Sequence, residues 1–310
     1  MLRWMLWLAI ALPIIAWGGL QLYHEVWWVE NLSSSPFVFL GYFALLAILM
    51  FALHYWAHFV VAVGVAAVYL MMAEPDQNRV LAHCATPISF GQFTLTNNPL
   101  TQAQLKQLLA AQLDMLVIQN ISSQQDLESL QSLLVQYPYR YHSTPKSTGN
   151  SQWIMSRFML SNVSEFPIGY GYQAVKFTWH PIPQKQISVI TAQLPYPFDD
   201  ASWNLRNALL RGVESQVFID EQDESLVIGN FSISATNSRF ARLFPGFETA
   251  PVASWPTHLG RLPLPYFMML SLDHVWLKSL QSGRRICMRS SQPLFADQLH
   301  RLVKTVIGFQ

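Results

Sequence analysis

Charge is what this sequence has least of. Only 12% of its 310 residues are Asp, Glu, Lys or Arg, while 51% are hydrophobic. A soluble domain ordinarily carries about 25% charged residues. The shortage is uneven. Residues 1–75 hold one basic residue, Arg3, and three acids, Glu25, Glu30 and Glu74. All other charges fall in residues 76–310, whose composition is that of a soluble domain. This excludes a wholly soluble enzyme, a disordered chain and a transporter built of spans throughout. Cysteine is scarce too. Cys84 and Cys287 allow at most one disulfide, exclude a disulfide scaffold, and have no metal-motif spacing. Whether the two meet is open at this level. A net charge of +1 gives no reason to expect nucleic acid as a partner. Repeats and low-complexity tracts are absent.

What is there begins with apolar runs. Leu2–Tyr23 has about the 20 apolar residues that cross a bilayer. A secretory signal peptide is the competing reading, but its apolar core would be shorter and no small-x-small cleavage site precedes Gln21. His24–Pro36 reads as a short polar loop, with Trp27 and Trp28 suited to an interface belt. Phe37–Met72 is almost continuously apolar and too long for one helix of ordinary tilt. His54, Tyr55, Trp56 and His58 mark a turn within it. Three crossings are therefore expected, at about 2–22, 37–54 and 57–73. Arg3, alone at the start, places the N-terminus in the cytoplasm by the positive-inside rule. Three crossings then put residues 76–310 outside, in the periplasm of a Gram-negative cell, where Cys84 and Cys287 could be oxidised.

Residues 76–310 have the size of one domain. Strands are expected at Gln92–Thr96, Met115–Gln119, Trp153–Ser156, Ala174–Trp179, Ile187–Leu194, Leu226–Gly229, Met268–Leu277, Ile286–Met288 and Leu302–Ile307. Helices are expected at Thr101–Gln112, capped by Thr101, at Gln124–Val135, and at Asp200–Phe218, with Asp199, Asp200 or Ser202 as cap. A short one opens at Ser234 or Thr236 and runs to Phe244. Interleaved in this way, they predict a mixed α/β or α+β domain with sheets covered by helices.

The order of these segments resembles the endonuclease/exonuclease/phosphatase superfamily, and more narrowly its members with three N-terminal transmembrane helices and an exported domain. Gln92-Phe93-Thr94-Leu95 resembles the opening strand, which ends in a metal-site Asn. Leu113 to Asn120 is similar to "pDvv.lQE", and Ile154-Met155-Ser156-Arg157 to "..lSr.p". Ala192-Gln193-Leu194-Pro195 stands where "tHl.p" is expected, with Arg206-Asn207 on the helix after it. Gly229-Asn230-Phe231-Ser232 resembles "GDFN", and Trp255-Pro256 a following "tWp". Leu272-Asp273-His274-Val275 matches "iDHi". Ser290-Ser291-Gln292-Pro293 stands where "SDH.P" should be. The resemblance implies membrane helices in residues 1–75, a linker at 76–84, and a four-layer α/β sandwich over 85–310.

The same resemblance implies a metal-dependent phosphoesterase site, and the sequence departs from it at nearly every position. Mg²⁺ wants carboxylate oxygens, and a His oriented by an Asp handles charge or the proton. The metal-binding Glu is replaced by Asn120. The catalytic Asp and Asn of "GDFN" are Asn230 and Ser232. The first Asn is Thr94, unless Asn97 or Asn98 is the match. The first His is Gln193, and the final Asp-His pair is Ser291-Gln292. Asp273 alone survives, with Gln292 as its expected partner. Amides keep size and hydrogen bonding but lose charge and proton transfer. Asn120 and Asn230 are the only metal candidates, and weak ones. No cofactor is expected, and Mg²⁺ or Mn²⁺ only if the site is active in altered form.

Other constellations carry less. His274 neighbours Asp273, but adjacent strand residues point to opposite faces. Ser156, Ser232 and Ser290 lack His/Asp companions for a serine hydrolase. Arg284, Arg285 and Arg289 read as a solvated strand end, or as a contact for phosphate or a lipid headgroup. Tyr137, Tyr139 and Tyr141 alternate about Arg140 in a loop or a partly buried edge strand. The functional expectation is an inner-membrane pseudoenzyme that binds or scaffolds a phosphorylated ligand, a lipid headgroup or a membrane-protein partner. The alternatives are a phosphodiesterase or phosphatase with an altered site, and a subunit of a membrane complex.

Overall fold

The computed structural model describes residues 2–23, 26–73, 77–96, 100–121, 130–143, 151–182, 185–220, 222–294 and 297–309. Helix α1 (Leu2–Leu22) rises at 1.5 Å per residue to about 31 Å. Its Arg3–Leu22 stretch is the one described helix long and apolar enough to cross a membrane by itself. Helix α2 (Trp27–Ser33) meets α3 (Pro36–Ala52) at 60°, and the bent pair passes the same measure together. Helix α4 (Trp56–Met71) is apolar and 16 residues long. Pro36 opens α3, where its missing N–H costs nothing. His54 sits in the turn between α3 and α4, whereas His58 lies inside α4, buried and 4.5 Å from the Trp7 ring.

The segment read as a polar loop is in fact α2. Its inward residues are Val29, Glu30 and Ser33. Glu30 bonds a residue 176 positions away, so no local pattern announces the helix.

The rest of the chain forms two packed sheets. One has the order β1-β14-β15-β2-β3-β5-β4. Its strands are β1 (Asn78–Val80), β2 (Ala85–Thr94), β3 (Met115–Ile121), β4 (Tyr139–His142), β5 (Ser151–Ser156), β14 (Arg284–Gln292) and β15 (Leu302–Phe309). The other has the order β10-β13-β9-β8-β7-β6. Its strands are β6 (Leu160–Gly169), β7 (Tyr172–Ile182), β8 (Lys185–Gln193), β9 (Glu224–Asn230), β10 (Glu248–Thr249) and β13 (Asp273–Ser279). A small hairpin pairs β11 (His258–Leu259) with β12 (Leu262–Pro263).

Between the sheets lie Phe90, Val117 and Ile154 from one, and Phe177, Trp179, Val189, Ile228 and Val275 from the other. Helix α5 (Gln102–Ala110) covers the outer face of the first sheet through Leu105 and Leu108. Helix α6 (Asp200–Ile219) covers the second through Leu209, Leu210, Val213 and Val217. Helix, sheet, sheet, helix is the four-layer sandwich that the resemblance implied. The predicted caps are present: Thr101 and Asp199 each form a capping box.

Several expectations are corrected. Residues 124–129 of the expected Gln124–Val135 helix lie outside the described residues, and Gln131–Val135 is a 3₁₀ turn. The expected helix from Ser234 or Thr236 reduces to a 3₁₀ turn at Phe240–Arg242. There the Ser234 hydroxyl takes the Thr236 N–H and the Asn237 side chain takes the Arg239 N–H, side-chain bonds that compete with helix. The strand expected from Met268 starts only at Asp273. The tyrosine segment is the edge strand β4. The 76–84 segment carries an edge strand, β1, paired with β14. Arg284 and Arg289 are buried rather than solvated. Arg284 pairs with Glu224, and Arg289 donates to Thr305 Oγ1, Ala250 O and Asp273 O. Cys84 and Cys287 form a disulfide, with Cα atoms 6.0 Å apart.

Candidate functional site

Strand register assembles the site. In the first sheet β2 and β3 run parallel, and Thr94 pairs with Gln119 at their C-terminal ends. In the second, β8 and β9 run parallel and end with Gln193 opposite Asn230. Asn230 in turn faces Asp273 at the start of antiparallel β13. Two rows of strand ends therefore meet at one end of the sandwich. Between them is a cleft of about 340 Å³, lined by Thr94, Asn120, Gln193, Asn230 and Ser232, and by Tyr196, Phe198, Trp255 and His300.

Local backbone features aim these side chains. Asn120 is the extra residue of a bulge, because Gln119 pairs with Gln152 and Ile121 with Ser151. Its φ of 64° is one that Asn tolerates. Gly229 has φ 154°, and a Cβ there would lie 1.9 Å from Ala192 O. Only glycine lets β9 approach β8 this closely beneath the site. Buried Gln119 ties the sheets together. It donates to Ala192 O at 2.9 Å and accepts from Asn230 N at 2.9 Å.

The two cleft asparagines are already engaged. Asn120 Nδ2 donates to Leu95 O at 2.6 Å. Asn230 Oδ1 accepts from Ser232 N at 3.0 Å and from Ser232 Oγ at 3.1 Å. Gln193 differs. It is 8% exposed, and its Oε1 is buried without a partner.

Asp273 is fully buried below the cleft. Its Oδ1 accepts from Thr94 Oγ1 at 3.0 Å, and its Oδ2 lies 3.1 Å from His300 Nδ1. Burial pushes its carboxyl up, but His300 and hydrogen bonds from Ser254 and Thr94 outweigh burial and hold it below the usual range. Its partner is thus His300. The expected partner is contradicted: Gln292 ends β14 and is exposed, while Ser291 donates to Ala253 O. Neither lines the cleft. Ser-Ser-Gln-Pro misled because it imitates the motif, whereas the histidine arrives eight residues later on the loop before β15. The signal available in the sequence was a His two residues before the last strand. The loop is held over the site by bonds from Thr96 to Gln298 and from Thr257 N to Leu299 O.

Asn97 and Asn98 lie outside the described residues, so Thr94 is the first-strand residue found in the cleft. His274 points the other way, as expected. Its Nε2 is 2.7 Å from Ile233 O, and its ring packs on Phe240 and Trp276.

An aromatic wall was not foreseen. Tyr196 lies 4.8 Å from Phe198 and 5.1 Å from Trp255, ring to ring, and Trp255 is 6.3 Å from His300. Nor was the role of α2. Glu30 pairs with Arg206 and accepts from Trp203 Nε1 at 2.6 Å. Arg206, fully buried, also donates to Ser232 O in the cleft. Burial and the Glu30 carboxylate push the Tyr196 phenol up.

Among solved structures the chain is similar to truncated Caenorhabditis elegans TDP2, at 12% identity over 72% of this chain and 98% of that one, with a TM-score of 0.56. The human Nocturnin catalytic domain with bound sulfate is similar at 14% identity over 75% and 97%, with a TM-score of 0.54. An endonuclease/exonuclease/phosphatase from Beutenbergia cavernae is similar at 14% identity over 72% of each chain, with a TM-score of 0.52. No family model and no curated protein matches. The two-sheet domain therefore has the endonuclease/exonuclease/phosphatase fold.

Proposed function

From that fold, we propose a membrane-anchored binding domain whose cleft holds a ligand without metal-dependent hydrolysis. The observation that carries this reading is the state of the carboxylate positions. Asn120 and Asn230 are neutral amides, Asn120 held through its nitrogen by Leu95 O and Asn230 accepting through its oxygen from Ser232. The divalent cation implied by the fold wants carboxylate oxygens. Among the described residues the cleft lining offers none: Asp273 is buried and both its oxygens are taken. Among the described residues no group of three His, Cys, Asp or Glu could hold a metal. The residues present do not fit the cation.

A second reading, an altered phosphodiesterase, is favoured by one observation: the Asp273–His300 couple that a hydrolase would use. The full chain in detergent, titrated with Mg²⁺ and Mn²⁺ by calorimetry and offered a generic phosphodiester, decides between them. We expect neither metal binding nor turnover. Micromolar metal binding together with turnover that His300→Ala abolishes would establish the enzyme.

Three crossings, by α1, α3 and α4, put the domain on the side opposite the N-terminus. Support comes from the contact between α2 and the domain. The α1–α3 connection and the chain after α4 must then share one face, which an odd number of crossings satisfies. The Cys84–Cys287 disulfide supports an oxidising, extracytoplasmic side.

A further inference from the structure

Helix α2 ties the anchor to the wall of the cleft. Five polar contacts make the tie. Glu30 pairs with Arg206 and accepts from Trp203, at the start of α6. Asn31 Nδ2 donates to Pro197 O at 2.8 Å. At the C-cap of α2, Thr236 Oγ1 donates to Ser34 O at 2.8 Å and Asn237 Nδ2 to Ser34 Oγ at 3.3 Å. The surfaces that α2 holds are the surfaces that line the cleft. Pro197 lies between Tyr196 and Phe198, and Arg206 holds the Ser232 carbonyl. Glu30 and Arg206 are both buried, so the tie is rigid rather than a surface contact. The seven-residue α2 joins α1 to α3, so on the three-crossing reading it lies where both leave the membrane. Trp28, half exposed, and Phe198, 70% exposed, border this junction.

The cleft's chemistry narrows the occupant. Among the described residues its lining holds no Lys, Arg, Asp or Glu. His300 has Nδ1 on Asp273, and among the described residues nothing bonds its Nε2. Gln193 presents a buried amide oxygen that nothing in the protein satisfies, at a cost a ligand donor would relieve. One imidazole and neutral amides suit a singly charged phosphodiester better than a doubly charged monoester. The orphan amide oxygen asks for a hydroxyl or ammonium donor on the same ligand.

We propose that α2 fixes the cleft mouth at the membrane surface, where it takes the phosphodiester headgroup of a membrane lipid bearing a hydroxyl or ammonium donor. This rests on the membrane-anchored binding reading above. His300 meets the phosphodiester and Gln193 the donor, while Phe198 sits among the headgroups.

The full chain in phosphatidylcholine nanodiscs tests it in two arms. In the first, Phe198→Cys carries a nitroxide, and Leu280→Cys, just past the far end of β13, is the control. Phe198 should be shielded from a water-soluble nickel chelate and Leu280 should not; equal access overturns the proposal. In the second, quenching of tryptophan fluorescence is read against dihexanoylphosphatidylglycerol, its deacylated headgroup glycerophosphoglycerol, and inorganic phosphate. The lipid should bind at least about tenfold more tightly than either soluble probe, and His300→Ala and Gln193→Leu should each lose at least about tenfold, or about 1.4 kcal/mol. Equal affinity for the headgroup or for phosphate would mean a soluble ligand and would overturn the membrane source. Unchanged lipid affinity in both variants would place the lipid elsewhere and overturn the site. Hydrolysis of the lipid would instead defeat the binding-only reading and leave the geometry of α2 intact.

Discussion

At the scale of single residues, Asp273 and His274 show how one dipeptide serves two faces. Asp273 meets Thr94 and His300 beneath the cleft, and His274 enters the core under α6. Burial pushes the His274 imidazole down to about 4 from an ordinary 6.5. Between those values the unfolded chain takes up a proton that the folded chain refuses, so stability falls as pH falls. Above 6.5 the contribution is complete, and below about 4 it is gone. The drop is about 3 kcal/mol, at 1.36 kcal/mol per unit. Denaturant unfolding of the full chain at pH 7 and pH 4 should show it, and His274→Leu should flatten the dependence. Asp273 acts in a lower window. Its carboxyl is held below the usual range, so its contribution stands above an ordinary 3.8 and fades as pH falls further. A stability curve flat from pH 7 to pH 4 would contradict the burial of His274.

At the scale of elements, two junctions carry the argument. The first is α2 on α6. Removing one member of a buried ion pair leaves the other charge uncompensated, at about 3–5 kcal/mol. Glu30→Ala should therefore lower the thermal midpoint of the full chain, and Glu30→Leu with Arg206→Met should recover much of the loss. A double variant no better than Glu30→Ala would show that the tie contributes more than charge pairing. The second is β8 on β9. Gly229→Ala would put a Cβ 1.9 Å from the Ala192 carbonyl. We expect a loss of at least about 2 kcal/mol and a disturbed cleft, read as a lower midpoint and altered fluorescence from Trp255. Both junctions explain why sequence reading stopped where it did. Long amphipathic helices such as α6 announce themselves by period and cap. A seven-residue helix whose one buried carboxylate pairs with a residue 176 positions away does not.

At the scale of the molecule, one covalent link spans the two-sheet domain. Cys84 precedes β2 and Cys287 sits in β14, 203 residues apart, so the disulfide ties the chain that follows the N-terminal helices to the first sheet. Closing so long a loop in the unfolded chain stabilises the fold by about 2–5 kcal/mol. For a domain of this size that is roughly 5–15 °C in thermal midpoint. Scanning calorimetry of the full chain with and without reductant should find it, and Cys84→Ser should match the reduced protein. A midpoint indifferent to reductant would mean that the first sheet is held by its hydrogen bonds and core alone.

The sequence by itself determined the apolar N-terminal quarter, the interleaving of helices and strands, and the neutral amides at several strand ends. Each of these is local: a composition, a period, or a short word. Tertiary structure decided what is non-local. It put His300 rather than Gln292 on Asp273, because a loop's path and not its spelling selects the side chain that reaches a buried carboxylate. It put Glu30 of α2 against Arg206, and it took Arg284 and Arg289 out of solvent. The low charge of this chain thus has three physical sources: apolar N-terminal helices, amides at the strand ends that line the cleft, and neutral side chains along a cleft wall fastened to α2.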